Sequence, residues 1–164
     1  MSNEIGSKIL AKLITDFAGL KFSNNQVIFN NVRSFYTGDS MEPLDCLVIP
    51  DITPEVTFGE SAGNTQTTRI YQFRTLVFET IESSADNSAG QLKYNRILNI
   101  TDALLDYLQK EPSNLNSWGN SNNINIFKIR VVQPRFDTQR TETGFGVLLD
   151  LSFGVYLNVV PQNL

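Results

Sequence analysis

Apolar residues in this chain follow two spacings, one typical of helices and one typical of strands. From Ile5 to Phe17 they recur at every third or fourth position, which predicts an amphipathic helix that ends near Gly19. A second amphipathic helix is predicted from about Ala89 to Lys110, with Pro112 just beyond its end. The apolar stripe of this second helix consists of Leu92, Ile97, Ile100, Leu104, Leu105 and Leu108.

Several strands are predicted between these helices. Two apolar runs at Val27–Phe29 and Val32–Tyr36, joined by Asn30-Asn31, suggest one irregular strand or a small hairpin. The run Leu44–Ile49 is flanked by a proline on each side. Because proline has no N–H to donate to a sheet, this run predicts a short strand that stops at the prolines.

A stronger strand is predicted at Thr67–Ile81, after a loop at Gly59–Asn64 that separates it from a shorter strand piece at Glu55–Phe58. Apolar and polar residues alternate within it, as they do in a strand with one buried face. Leu76 and Phe78 break the alternation toward its end. Both faces of the sheet are therefore expected to be partly covered there.

The last third of the chain predicts a long antiparallel hairpin. Ser113–Asn123 is rich in Asn, Ser and Gly and is predicted to be a loop. Apolar and polar residues then alternate over Phe127–Val132, and more regularly over Val147–Asn158. If both strands continue into Pro134–Gly146, the hairpin extends well past the core of the domain.

Together these elements predict one domain over residues 1–164 of the α+β class. It has a mixed, mainly antiparallel β-sheet packed by two amphipathic helices, with a long C-terminal β-hairpin. A chain of 164 residues is long enough to bury a core of its own, and no repeat or linker divides it.

Composition argues against several classes of protein. A formal net charge of −4 does not suit a protein that grips nucleic acid phosphates. The chain has no His and a single Cys, so it forms no internal disulfide and lacks the commonest general base and metal ligand. No signal peptide is apparent and no apolar run approaches the roughly 18 residues of a membrane span, so we expect a soluble, cytoplasmic protein with no membrane partner.

No local group of residues predicts catalysis, and we expect no enzyme activity, no cofactor and no metal. Cys46 lies in an apolar strand without a histidine to activate it, which favours a buried structural role. Asp102 and Asp106 share a helix face, but it lies opposite the leucine stripe, where solvated residues are expected. Gly144-Phe145-Gly146 precedes a strand and so lacks the helix N-terminus of a phosphate-binding loop. A further acidic group lacks the ligand spacing of a calcium loop and consists of Asp39, Glu42, Asp45 and Asp51.

Exposed aromatic residues beside charged ones are typical of protein interfaces. The predicted interface therefore lies on the hairpin and on the Asn-rich segment before it. Its candidate residues are Arg135, Phe136, Asp137, Arg140, Glu142, Phe145 and Trp118. The alternative for the three aromatic residues is that they fold back on the core.

A series of five segments runs through nearly the whole chain. It consists of the helix Ile5 to Phe17, the strand Pro43-Leu44-Asp45-Cys46-Leu47-Val48-Ile49, the strand Arg69 to Phe78, the helix end Ile100 to Leu108 and the strand Gly146 to Phe153. In element order and in local sequence, the series resembles the tail terminator (tail completion) proteins of long-tailed bacteriophages. The resemblance rests on a pattern of elements and not on chemical residues.

The resemblance implies a structural virion assembly protein that forms a ring, expected to be a hexamer. The ring caps the completed tail tube and joins it to the head–tail connector. The implied partners are other copies of the chain, the tail tube protein and the connector protein, while DNA passes through the lumen without specific binding. The implied location is the tail or neck of the virion, and the host cytoplasm during assembly. An acidic chain suits such a channel, since a strongly basic wall would retain DNA.

Two alternatives stay open. The chain departs from the family pattern in a longer Asp51 to Thr68 segment and in the Asn-rich insertion, which leaves room for another phage neck or head-completion protein. The other alternative is a small non-enzymatic ligand-binding α+β domain, in which Asp39 to Asp51 or Ser113 to Asn123 closes over a small molecule.

Overall fold

The computed structural model describes residues 4–34, 42–58, 67–82, 87–110, 114–140, 142 and 144–159, with the backbone alone for 52–58, 67, 87 and 159. Three helices and six strands lie within these ranges. They are α1 (Ile5–Ala18), β1 (Asn31–Arg33), β2 (Asp45–Phe58), β3 (Thr67–Glu82), α2 (Asn87–Gln109), α3 (Asn114–Ser121), β4 (Asn125–Val131), β5 (Arg135–Arg140) and β6 (Gly144–Val159).

The strands form one sheet in the order β1-β2-β3-β6-β4, and β5 also pairs with β6. Of the pairs among these strands, β1–β2 is parallel and the others are antiparallel. This confirms the predicted α+β fold with a mixed, mainly antiparallel sheet and a C-terminal hairpin.

The hairpin is part of the sheet and not a free arm. On one side, β6 pairs with β3 along its whole length, from Gly144 to Val159. On the other side, β4 pairs with the second half of β6 and β5 pairs with the first half. The first strand of the predicted hairpin is therefore interrupted at residues 132–134, and β6 is a central strand of the sheet.

The main core lies between one face of the sheet and the helices. Ile5, Ile9, Leu13 and Phe17 of α1 are buried there, as are Ile100, Leu104 and Leu108 of α2. The odd-numbered residues of β6 from Leu149 to Leu157 form the opposite wall. The ring of Phe17 meets the ring of Tyr107 edge to face, with centroids 5.4 Å apart.

The predicted stripe of α2 is wrong at Leu92, whose side chain is 69% exposed. Helical spacing back from Ile97 and Ile100 instead turns Lys93 toward the sheet. The ammonium of Lys93 lies 3.7 Å from the carboxylate of Glu79, which is buried in β3, and Arg96 approaches the same carboxylate at 3.4 Å. Ion pairs with Glu79, and not leucine packing, therefore hold the first half of α2 against the sheet.

The predicted end of a strand at Pro50 is also wrong, because β2 continues through Pro50 and Pro54 to Phe58. Its pairing with β3 shifts register between Pro50 and Ile52, and again between Ile52 and Glu55. Such irregularities let a strand pass residues that cannot donate to the ladder. The loop predicted at 59–64 lies outside the described residues.

The loop predicted at Ser113–Asn123 contains the short helix α3. Its residues are weak helix formers, and tertiary packing overrides that preference. Leu115 and Gly119 are buried against the core. The side-chain amide of Asn122 donates to the carbonyl oxygen of Trp118 at 2.9 Å, which closes the last turn.

The two runs around Asn30-Asn31 form neither one strand nor a hairpin with each other. Val27 pairs in a single bridge with Lys21, whereas Asn31–Arg33 runs parallel to β2. Ile28 and Phe29, between these pairings, are buried in the core. The two halves of the segment therefore pair with different elements, on either side of these buried residues. The end of the second run lies outside the described residues.

Candidate interaction surfaces

Strand β5 forms an exposed margin of the sheet. Its six residues are all exposed. Among the strands that the structure describes, β5 pairs only with β6. Half of its backbone N–H and C=O groups therefore point away from the sheet, as at any edge strand.

The register of the hairpin assigns the predicted interface residues to two faces. Phe136 is opposite Leu149 and Arg140 is opposite Phe145, so these residues project on the face that carries the helices. Arg135 and Asp137 project on the other face, since Arg135 is opposite Asp150. Phe136 and Phe145 are 45% and 47% exposed, which identifies them as surface aromatics, Phe136 on the edge strand β5 and Phe145 near the turn end of β6.

The structure does not group Trp118 with the hairpin residues. Its ring is half-buried in α3 and packs against the hydrophobic core. Glu142 is exposed next to the hairpin turn. Six of the seven predicted interface residues thus lie on one hairpin, and Trp118 belongs in part to the core.

The opposite face of the sheet is a second surface, which the sequence did not single out. The described helices α1, α2 and α3 all pack on the other face, so we call this one the helix-free face. It is partly covered, as the break in alternation at Leu76 predicted, since Leu47 and Leu76 are buried on it. A register shift between Ile126 and Lys128 turns the exposed Phe127 to the helix-free face, where its ring meets that of Tyr156 with centroids 6.2 Å apart. The ammonium of Lys128 lies 5.5 Å from the centre of the Tyr156 ring. Only the pairing register, which strand alternation does not predict, could have revealed this cluster.

A groove of about 990 Å³ separates α2 from the segment 20–26. Its walls carry both signs of charge together with several amides. The described residues that line it include Lys21, Phe22, Asn95, Asn99, Asp102 and Asp106. The two aspartates that sequence analysis placed on a solvated helix face are therefore exposed, and they lie on the wall of this groove.

The floor of the groove includes Tyr107, whose hydroxyl donates a hydrogen bond to the carboxylate of Asp16. Burial raises the pKa of Tyr107 well above its ordinary value, and the hydrogen bond to Asp16 raises it further. The ammonium of Lys12 lies 2.9 Å from the carboxylate of Asp16 and balances its charge. At neutral pH this tyrosine is protonated and serves as a hydrogen-bond donor, not as a base.

Cys46 is fully buried in β2, as predicted. Burial raises the pKa of its thiol far above the ordinary value, and the neighbouring charge of Asp45 raises it further. A thiol held in this protonated state is a poor nucleophile.

The other predicted non-sites have ordinary structural roles. The carboxylate of Asp45 accepts hydrogen bonds from Arg33 at 3.4 Å and from the backbone N–H of Glu42 at 3.3 Å. Asp39 lies outside the described residues, within which no group of three potential metal ligands comes together. Gly144 and Gly146 belong to β6 and pair with β3, not with a helix N-terminus.

Comparison of the chain with protein-family models and with curated proteins finds no match. Among the described helices, none combines the length and apolar character needed to cross a bilayer.

Proposed function

We propose that this chain is a structural virion assembly protein, a ring-forming subunit that caps a phage tail tube and joins it to the head connector. The observation that carries the proposal is the exposed hairpin, on which Phe136 of the edge strand and Phe145 near the turn lie among charged residues. Aromatic side chains beside arginine are the usual anchors of protein interfaces. The order of elements resembles that of tail terminators, and it supports the same assignment.

A closed ring needs two unlike surfaces on each subunit that fit one another. This domain offers unlike surfaces in the hairpin, the helix-free face of the sheet and the groove beside α2. A net charge of −4 also suits a channel through which DNA slides. In this proposal the chain has no active site, and its partners are other copies, the tube protein and the connector protein.

The test is reconstitution with tail tubes assembled from the tube protein encoded in the same genome. Negative-stain images should show added density at one end of each tube, and light scattering on the purified chain gives its mass before binding. A chain that never associates with tubes, at any concentration up to roughly a hundred times that of tube ends, contradicts the proposal. Another neck protein would instead bind the isolated connector and leave tubes bare.

A second candidate function, a small ligand-binding domain, is favoured by one observation, the polar groove beside α2. Its mixture of carboxylates, amides and amines suits a small polar molecule. Asn114 is the described residue of the Asn-rich segment that reaches its wall. Thermal-shift screening against metabolites tests it, because a specific ligand raises the melting temperature by mass action. A hit that is lost in Asp106→Ala and retained in Asp137→Ala would place the ligand in the groove.

A further inference from the structure

The helix α2 carries exposed apolar side chains on two opposite flanks. Leu92 is the most exposed of the large apolar residues that the structure describes, and it lines the groove between α2 and the segment 20–26. Tyr94 and Leu98 are also exposed, but they do not line this groove. Since successive residues of a helix are turned by about 100°, Tyr94 and Leu98 lie on the flank that faces away from the groove.

The hairpin enlarges this second flank into a patch. Helix α1 contacts β1 and β2, at one margin of the sheet, and the segment 20–26 follows it directly, so the groove lies on the α1 side of α2. The other flank faces β5, because Lys93 in the first half of α2 donates to the carbonyl oxygen of Thr80, in the part of β3 that is aligned with the hairpin. There the hairpin turns an arginine and two exposed aromatic residues to the helix side of the sheet. The joint surface, which we call the hairpin patch, consists of Tyr94, Leu98, Phe136, Arg140 and Phe145.

The hairpin patch and the groove offer opposite charges to a partner. Arg140 is exposed in the patch, and Asp102 and Asp106 are exposed on the α2 wall of the groove. None of the three belongs to an ion pair among the described residues. The groove also holds three cations, of which one is paired with β3, one lies on the opposite wall and one directly follows α2; they are, in that order, Arg96, Lys21 and Lys110.

The two surfaces also match in the spacing of their apolar and charged residues. On β5, Phe136 and Arg140 share one face and are about 13 Å apart, at about 3.3 Å per residue. On α2, Leu92 and Asp102 are about 15 Å apart along the helix axis, at about 1.5 Å per residue. If Phe136 of one copy packs on Leu92 of another, Arg140 therefore lies near Asp102. Asp106 is about 6 Å further along the helix.

We propose that copies of this chain associate head to tail, with the hairpin patch of one copy docked in the groove beside α2 of the next. Phe136 packs on Leu92, and Arg140 pairs with Asp102. The inference rests on the proposed ring function and names the two surfaces that form its subunit contact. Because these surfaces lie on opposite flanks of one helix, each copy engages one neighbour on each side, as a ring requires.

A charge exchange tests the docking. Arg140→Asp and Asp102→Arg should each weaken self-association by roughly tenfold or more in sedimentation velocity, because like charges then face each other. Both changes in one chain restore opposite charges and should recover association. Asp137→Arg is the matched control, since Asp137 projects from the other face of β5 and its change should have little effect. Wild-type association in either single variant, or a double variant as weak as the single ones, overturns the proposal, as does a wild-type chain that is monomeric up to about 1 mM, the weak end of specific affinities.

A mixing experiment tests whether the contact is head to tail. Phe136→Asp damages the patch and leaves the groove intact, whereas Leu92→Asp does the reverse, and both residues are exposed, so both variants should fold. Each variant alone should be monomeric. Their mixture should form dimers of one copy each and nothing larger, because one intact patch meets one intact groove. A Leu92→Asp chain that associates like the wild type, as a two-fold contact between hairpins requires, contradicts the proposal.

Tail-tube binding is scored separately, so that the docking and the phage assignment fail in different ways. Head-to-tail association that follows the charge exchange, in a chain that never binds tubes, supports the docking and counts against the tail function. Tube capping by rings that persist unchanged in both Arg140→Asp and Asp102→Arg supports the tail function and overturns the docking.

Discussion

The guanidinium of Arg74 in β3 binds the carboxylate of Asp150 in β6 through two hydrogen bonds, 3.1 Å from Nε and 2.7 Å from Nη2. The Asp150 side chain is 10% exposed, whereas that of Arg74 is 39% exposed. Asp150 is also opposite Arg135 of β5. One nearly buried carboxylate therefore lies where three strands meet on the helix-free face of the sheet.

Asp150→Asn should destabilise the domain, because the amide keeps the shape of the side chain but loses the charge that Arg74 binds. Since Arg74 is partly exposed and rehydrates, we expect a loss of about 1–2 kcal/mol. Urea unfolding measures it, with Asp137→Asn as the exposed control that should change stability little. Equal effects of the two substitutions would contradict a special role for the Arg74–Asp150 pair.

Thr75→Val should stabilise the domain. Thr75 is fully buried in β3, and its hydroxyl has no hydrogen-bond partner among the described residues. Replacing an unsatisfied hydroxyl by a methyl group of similar shape should gain about 1 kcal/mol. The control is Thr101→Val, because the Thr101 hydroxyl donates to the carbonyl oxygen of Ile97 at 2.8 Å. Thermal melts of both variants should shift in opposite directions.

Gly119→Ala should destabilise the packing of α3 against β4. A Cβ atom at Gly119 would lie 2.6 Å from the carbonyl oxygen of Ile124 and 2.9 Å from Cδ1 of Ile126. Relieving that overlap should cost about 2 kcal/mol. Gly90→Ala in α2 is the matched control, since among the described residues its Cβ would meet Ile81 Cγ2 alone, at 3.9 Å. That change should stabilise by about 0.5–1 kcal/mol through helix propensity, and urea unfolding separates the two outcomes.

Stability should fall on the alkaline side in two steps. The pKa values of Cys46 and Tyr107 are raised in the folded protein above their ordinary values of 9.0 and 10.0. The unfolded chain therefore loses these protons first, so stability is complete below about pH 9 and falls as pH rises, by about 1.4 kcal/mol per pH unit for each group. Cys46→Ala and Tyr107→Phe should each flatten this slope while lowering stability at pH 8. If the free energy of unfolding falls equally steeply with pH in the wild type and in both variants, these two groups do not cause the alkaline loss of stability.

The double change Arg135→Glu with Phe136→Ala should leave folding intact and weaken association, because both residues are exposed on β5. We expect the free energy of unfolding to change by less than about 0.5 kcal/mol per site. Pull-down of the variant by wild-type chain and by tail tubes measures the association. Trp118→Ala provides the contrast, since its ring packs on the core and its loss should lower the melting temperature. A double variant that unfolds would show that this part of the hairpin belongs to the core.

Spacing alone was sufficient to predict α1, most of α2, β3 and β6, since each carries a long periodic run against one core. Spacing failed at Leu92, because it does not show whether an apolar residue next to the buried stripe of a helix is itself buried. That depends on the strand against which the helix packs. Buried Glu79, which attracts Lys93 and Arg96, decides the inward face of α2 there. The buried face of α2 at this end depends on a residue of β3, so the sequence of the helix alone does not predict it.

The continuation of β2 past its prolines and the helix α3 were not predicted, for a related reason. Local preference predicts an end at Pro50 and a loop around Trp118, yet register shifts against β3 and burial of Leu115 override it. The candidate interface was found because exposed aromatics at a predicted hairpin need no distant contacts to be recognised. The Phe127–Tyr156 cluster was missed because it exists only through the register shift in β4.

The central position of β6 constrains the order in which the domain is made. Every described strand that pairs with β6 precedes it in the chain, so β3, β4 and β5 are synthesised before their common partner exists. Until then β3, which ends more than 60 residues before β6 begins, presents an unpaired edge that is prone to aggregation. Completion of the sheet therefore awaits translation past Val159, and the nascent chain has reason to need chaperone protection during that interval.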